Sequence, residues 1–312
     1  MALILEREVT RQAARIYAPN YIELWGSSGR HIPTTNTLTP GDELLEILGY
    51  EITGRAARYN GVATDIPTVS ASTGKKNARV AHFITGANWT SFEVSSLERA
   101  VANGAPAIRN LAAIKQVAMR RVLEEELNPL VIFGDSTFNG FLNQPEVTPI
   151  LETANLYDMT PTGLFNYFSS VLGDFQRKTR LLGAQIKMLV PSTLYQRMRI
   201  LPEGGTKTAY AMLTDPTLGL SVGTIEEIVE ANSAELEARG IYAPGTNRGR
   251  IVIYNPDPDT LLREYYTTRL TIPGVFPNGI HWQQSAFMGS SEVQLFRPYR
   301  MTYLDIPNDT TP

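Results

Sequence analysis

The chain has 312 residues, 43% of them apolar and 19% charged, with a formal net charge of −3, enough to bury cores for about two compact units and too acidic to hold nucleic acid by counterion release. Cysteine is absent, which excludes disulfides, thiolate metal sites and cysteine nucleophiles. No apolar run approaches the roughly 20 residues that span a bilayer.

The run Ala2-Leu-Ile-Leu5 is too short for a signal-peptide core, so cytoplasmic manufacture without a membrane partner is expected, and the glycosylation matches at Asn88 and Asn308 read as chance. Residues 1–32 mix a thin helical stripe (Ile4, Val9, Ala13, Ile16) with Pro19, Gly26 and Gly29. Such a segment gains order by lying on something else, and Tyr17, Tyr21 and Trp25 are its candidate anchors.

Residues 50–59 and 78–85 alternate as strands with two exposed faces. Between them, Asn60-Gly61, Asp65, Pro67, Ser70, Ser72 and Gly74-Lys-Lys-Asn77 offer nothing apolar to bury. A long projecting hairpin is expected, with Arg55, Arg58 and Arg79 on its strands and Lys75 and Lys76 at its tip. An isolated hairpin is marginal in water, so a second subunit should receive it.

A long helix follows. Pro106 suits its first turn, and Ile108, Leu111, Ile114, Ala118 and Val122 recur at helical steps, with Leu123 and Leu127 widening the stripe. Asn128-Pro129 should close it, because the residue before proline avoids helical angles. That end places Glu124, Glu125 and Glu126 at the negative pole of the helix dipole. Arg120 and Arg121 can offset part of the cost, and basic groups of another subunit can offset the rest.

Leu130–Phe133 then reads as a short buried strand. Pro161 opens a helix whose inner face is Leu164, Phe165, Phe168, Val171, Leu172 and Phe175, with Arg177, Lys178 and Arg180 complementing its end. Strands are expected at 185–190, 224–230 and 250–254 and a short helix at 193–201, giving a mixed α/β lobe over about 136–265. From Thr267 to Ile306 the chain is strand and turn, and these strands should return to the long helix.

The chemical candidates are few. Gly134-Asp135-Ser136 matches the signature of one serine esterase family, yet a general base is needed. The chain has three histidines, His31, His82 and His281, and Asn278 stands where an aspartate three residues before the last would be. Asp257 and Asp259 with Asp215 could suggest a cation site, but Asn255-Pro-Asp-Pro-Asp259 is ordinary turn chemistry. Gly204-Gly-Thr-Lys-Thr208 breaks the phosphate-loop order, since Thr206 separates glycine from lysine. No catalytic, cofactor-binding or metal-binding set emerges, and no cofactor is expected.

The order arm, hairpin, long helix, lobe and returning strands resembles the major capsid proteins of tailed bacteriophages, with the Hong Kong 97 type fold. Within it, Phe133-Gly-Asp-Ser-Thr-Phe-Asn-Gly-Phe-Leu-Asn-Gln-Pro145 is similar to the segment where those proteins leave the spine helix, a Gly followed by Gly-Leu-Leu-Asn-x-Pro, with Phe141 in place of leucine. Ser95-Ser-Leu-Glu-Arg-Ala100 with Gly104, and Met188-Leu-Val-Pro-Ser-Thr193, resemble the approach to the spine and a strand–helix pair of the lobe. The resemblance implies an α+β fold with an N-arm (1–32), an E-loop (50–90), a discontinuous P-domain (33–49, 91–135 and 266–312) and an A-domain (136–265).

It further implies self-association into hexamers and pentamers of an icosahedral shell around double-stranded DNA, held by weak non-specific contact, with a separate scaffold, a portal and decoration or cement proteins as further partners. The subunit would be made in the host bacterial cytoplasm and reside in the virion. Some relatives form a lysine–asparagine cross-link from the E-loop; Lys75 and Lys76 have no matching asparagine or glutamate here. An encapsulin-type compartment shell and an esterase using Ser136 are the alternatives. The contact residues implied are Arg55, Arg58, Lys75, Lys76, Arg79, Glu124, Glu125, Glu126, Tyr17, Tyr21 and Trp25.

Overall fold

Two sheets share the chain in a computed structural model that describes residues 29–54, 69–90, 111–201, 207–215, 222–271 and 281–307, with positions 92, 93, 95, 99, 205, 217, 274 and 275. The strands are β1 (Thr34–Thr35), β2 (Leu44–Gly54), β3 (Val69–Thr90), β4 (Ile150–Leu151), β5 (Lys187–Pro191), β6 (Thr224–Ile228), β7 (Arg248–Tyr254), β8 (Leu261–Leu270), β9 (Gly274–Val275), β10 (His281–Ser291), β11 (Gln294–Leu295) and β12 (Met301–Pro307). The helices are α1 (Leu111–Phe133), α2 (Pro161–Thr179), α3 (Ser192–Met198), α4 (Ala209–Leu213) and α5 (Ser233–Ala238).

The larger sheet, here the plate, runs β1-β8-β10-β3-β2, with β11 on β8 and β9 on β10. Its organiser is β3. Val69–Arg79 pair with β2 on one edge, and Val80–Thr90 pair with β10 on the other. Along the second half, His82, Ile84, Gly86 and Asn88 are exposed while Phe83, Ala87 and Trp89 are more covered, the alternation a pleated strand imposes. α1 packs across β3 and β10: Lys115 Nζ donates to the Asn88 carbonyl at 2.8 Å and lies 5.3 Å from the Trp89 ring.

The smaller sheet, the lobe, runs β4-β12-β7-β5-β6. β5 is buried along its whole length, as strands covered on both faces are. β7 alternates between two cores: Ile251 and Ile253 join Leu164, Phe168, Leu172 and Leu194 of the lobe helices, while Val252 and Tyr254 join Phe141, Leu142 and the inner face of α1. Thr160 caps α2 by accepting from Gly163 N–H at 3.2 Å, and Pro161 fills its first turn. Leu164, Phe168, Leu172 and Phe175 are buried as expected, with Phe165 and Val171 half-buried.

Several expectations need correction. The hairpin strands extend to Leu44–Gly54 and Val69–Thr90, so Lys75 and Lys76 stand inside the ribbon opposite Leu48 and Ile47, not at its tip. α1 does not stop at Pro129; it continues to Phe133, so Leu130–Phe133 is helix and not strand. The missing proline N–H costs about 3 kcal/mol in a helix interior, and burial of Val131, Ile132 and Phe133 in the core holds the extra turn. Glu124, Glu125 and Glu126 therefore lie about two turns from the helix end, beyond the reach of its dipole. Ala118 and Val122 are exposed, and the inner stripe is Met119, Leu123, Leu127 and Val131. The tail divides: β10 returns to the plate beside α1, whereas β12 enters the lobe beside β7. Pro106, Ile108, and the arm residues Tyr17, Tyr21 and Trp25 lie outside the described residues.

Candidate functional site

The turn after α1 is a tight junction. Gly134 has φ +72°, and Gly140 packs so closely that a Cβ there would stand 2.2 Å from Gly134 N. Phe141 and Leu142 N–H donate to the Val131 and Ile132 carbonyls at 2.9 and 2.7 Å. The motif thus folds back on the last turn of α1 and satisfies carbonyls that helix ends leave open.

Neighbouring elements lock this elbow. Gln144 Nε2 donates to the carbonyls of Gly140 at 2.8 Å and Val293 at 3.0 Å. The Tyr303 hydroxyl donates to the Phe141 carbonyl at 2.6 Å. Arg250, buried and bidentate on Asp305 at 2.8 and 2.9 Å, also donates to the Leu142 carbonyl. Glu292 ties elbow to ribbon: its carboxylate accepts from Asn139 N–H at 3.0 Å and Arg79 N–H at 3.2 Å.

This geometry does not assemble a nucleophile. Asp135 Oδ1 accepts from Thr137 N–H (2.6 Å), Thr137 hydroxyl (2.9 Å) and Phe138 N–H (2.8 Å), and the Thr137 backbone bond chiefly holds its carboxyl below the usual range. It shapes its own loop. His82 bridges the Tyr266 hydroxyl (2.9 Å) and the Asp42 carbonyl (2.8 Å). His31 is buried with Nδ1 3.7 Å from Glu226. His281 pairs with Thr90 while Ser291 pairs with Val80, which puts it roughly 33 Å along β10 from the elbow. The other candidates are structural as well: Lys207 pairs with Asp215 at 2.5 Å, Thr208 caps α4, and Asp257 Oδ1 accepts from Asp259 N–H within a turn. Among the described residues, no cluster of histidine and carboxylates could hold a metal ion.

The charged contact candidates resolve into two groups. Lys75 pairs with Glu46 across the ribbon, and Lys76 pairs with Glu146 just past the elbow. Glu124 and Glu125 pair with Arg120 at 3.0 Å and Arg121 at 2.8 Å one turn earlier. Arg79 is exposed and faces Asp135, whose carboxyl its charge helps to lower. Glu126 is exposed with no ion pair among the described residues. Arg55 and Arg58 fall outside them.

Sequence reasoning missed Glu146, Glu292, Gln144 and the Arg250–Asp305 pair. Glu292 lies 153 positions from Asn139 and 213 from Arg79, so no spacing rule could connect them. The one available signal was polarity: Arg250 and Asp305 each interrupt an apolar strand, and a buried charge needs a partner.

The chain matches the family described as major capsid protein over residues 54–306. Comparison with curated protein sequences finds no match. Among solved structures it is similar to the capsid of Myoviridae phage XM1, at 12% identity and TM-score 0.67, over 93% of this chain and 94% of that one. It is similar to the capsid of an empty GTA particle, at 11% identity and TM-score 0.59, over 93% and 92%. A chain of Mycobacterium phage Cain aligns at 14% identity and TM-score 0.52, over 95% and 93%. At these identities the likeness speaks for the fold, and the family match covers most of the chain. The fold is shared with phage capsids and the family match spans most of the sequence; this chain is a capsid shell subunit and belongs to the major capsid protein family.

Proposed function

We propose that the chain builds hexamers and pentamers of an icosahedral phage head that encloses double-stranded DNA. The observation that carries this reading is the ribbon. Over Leu44–Gly54 and Val69–Arg79, β2 and β3 have only each other as strand partners among the described residues, and each leaves an open row of backbone donors and acceptors. A second copy laid along that edge supplies them, and repeated head-to-tail contacts of this kind close into rings.

On this reading residues 1–32 are the N-arm, 50–90 the E-loop, 33–49 with 91–135 and 266–312 the P-domain, and 136–265 the A-domain. Arg55, Arg58, Arg79 and Glu126, with Tyr17, Tyr21 and Trp25 of the arm, carry the main contact to neighbours. Lys75, Lys76, Glu124 and Glu125 have partners at home and add less. A net charge of −3 suits an inner wall that does not grip DNA. Scaffold, portal and cement proteins complete the particle, assembled in the host cytoplasm.

Electron microscopy and nucleic-acid quantification of purified particles test the proposal. Closed icosahedral shells containing double-stranded DNA are expected. Shells filled with a protein cargo and no DNA would overturn it in favour of an encapsulin-type compartment, and a strictly monomeric protein would overturn both.

A further inference from the structure

Lys187 sits in a strand that is buried at every position, with 8% of its surface exposed. Such a lysine must find acceptors. It finds two: Glu226 at 2.8 Å and the Arg30 carbonyl at 3.2 Å. Beside it, the buried Tyr254 hydroxyl donates to the His31 carbonyl at 2.8 Å, and Arg30 Nε pairs with Glu226 at 3.0 Å. Lys187 of β5 and Tyr254 of β7 therefore hold the main chain of Arg30-His31, while Glu226 of β6 pairs with the Arg30 side chain and with Lys187. Burial first, then the Lys187 charge, push the His31 imidazole down to about 4 against the pull of Glu226, so it enters this site neutral.

A few residues later the same segment belongs to the other sheet. Arg263 N–H donates to the Pro33 carbonyl at 3.0 Å. Thr34 and Thr35 pair in parallel with Arg263 and Glu264, and the Thr37 hydroxyl bonds Glu264. Ile32 and Leu38 are both buried in the core shared by the two sheets.

We propose that residues 30–38 are a strap fastened at one end to the lobe and at the other to the plate, and that the lobe end is built to open first. The lobe end is held by side-chain bonds to two carbonyls, by ion pairs and by burial of His31 and Ile32, whereas the plate end is a strand pairing reinforced by buried Leu38. Because Arg30 and His31 precede Thr34 and Thr35 in the chain, a pull on the strap from its N-terminal side reaches the Lys187–Glu226–Tyr254 grip before it reaches the plate. Opening it releases the strap from the lobe while the plate pairing persists. The strap stands on the geometry of one subunit and not on the capsid reading.

Limited trypsin digestion of the full chain, with fragments identified by mass, tests it through the Arg30–His31 bond. In the parent that bond is shielded by its own anchored carbonyl. Lys187→Met, Glu226→Gln and Tyr254→Phe each keep the side-chain shape, and each should speed this cleavage about tenfold, as local opening governs proteolysis. Cleavage within residues 111–307 should keep its parental rate, and amide exchange at Arg263 should be unchanged. Asp259→Asn, which removes the 3.5 Å pair to Arg297 elsewhere, should leave the bond protected. Parental rates at Arg30–His31 in all three variants would overturn the proposal. So would acceleration at every site together, since that means global unfolding. A chain that shows the selective release yet never forms particles would refute the shell reading and leave the strap intact.

Discussion

Gly140 shows how one atom can decide the elbow. A Cβ at this position would meet the backbone of Gly134 and Phe133 at 2.2 Å, and backbone cannot swing aside as a flexible side chain can. Gly140→Ala should therefore cost about 3 kcal/mol, as overpacking does, read as a lower urea midpoint at constant slope. The Arg250–Asp305 pair is the second decisive contact, with both side chains under 5% exposed. Asp305→Asn leaves a buried guanidinium uncompensated, and a loss of about 3–5 kcal/mol in the same assay is expected. His31 gives the chain a pH dependence. Its imidazole is held at about 4 against an ordinary 6.5, so the unfolded chain takes up the proton first. The stability it contributes is complete above about pH 6.5 and is lost as pH falls toward 4, a span worth about 3 kcal/mol. The Glu226 carboxyl is also held down, burial opposing and Lys187 prevailing, so its contribution is lost in the same direction as pH falls. His31→Gln should flatten the slope of melting temperature between pH 6.5 and 4 relative to the parent.

At the scale of elements, α1 carries a flaw that its surroundings override. Pro129 offers no donor to the Glu125 carbonyl, yet the helix persists because Val131 and Ile132 are wholly buried. Restoring the donor with Pro129→Ala should stabilise the subunit by about 1–3 kcal/mol, seen as a higher melting temperature; an unchanged or lower value would mean that the proline geometry is needed to reach the elbow. The same helix shows why its inner face was only partly read. Ala118 and Val122 keep helical spacing as well as Met119, Leu123 and Leu127 do, and apolar periodicity alone cannot say which of two adjacent stripes meets a sheet. A hairpin was legible because the stretch between about 60 and 77 offers nothing apolar to bury. Its register was not, because imperfect alternation leaves a strand pairing weakly specified by pattern.

For the whole molecule, the question is what the ribbon is for. Joining Gly54 to Val69, which are paired, through a short Asn-Gly turn in place of residues 55–68 removes the far end of the ribbon and keeps its ladder. The shortened chain should melt with the parent and stay soluble, while forming no closed particles by electron microscopy. Closed shells of parental size would show that the ribbon end is dispensable and would shift the contact to other surfaces.

Local chemistry in the sequence determined the parts: a hairpin with a polar stretch between its strands, a long helix, the Gly134 and Gly140 turn, and a lobe of buried strands such as Arg248–Tyr254. The tertiary structure alone decided how those parts lock. Glu292 with Asn139 and Arg79, Arg250 with Asp305 and Lys187 with Arg30 join residues 55 to 213 positions apart. Burial in a common core continues α1 past a proline and sends β12 into the lobe while β10 stays in the plate. Sequence spacing records only neighbours along the chain, and these bonds exist because the folded core brings distant backbone and charge within 3 Å or so of each other.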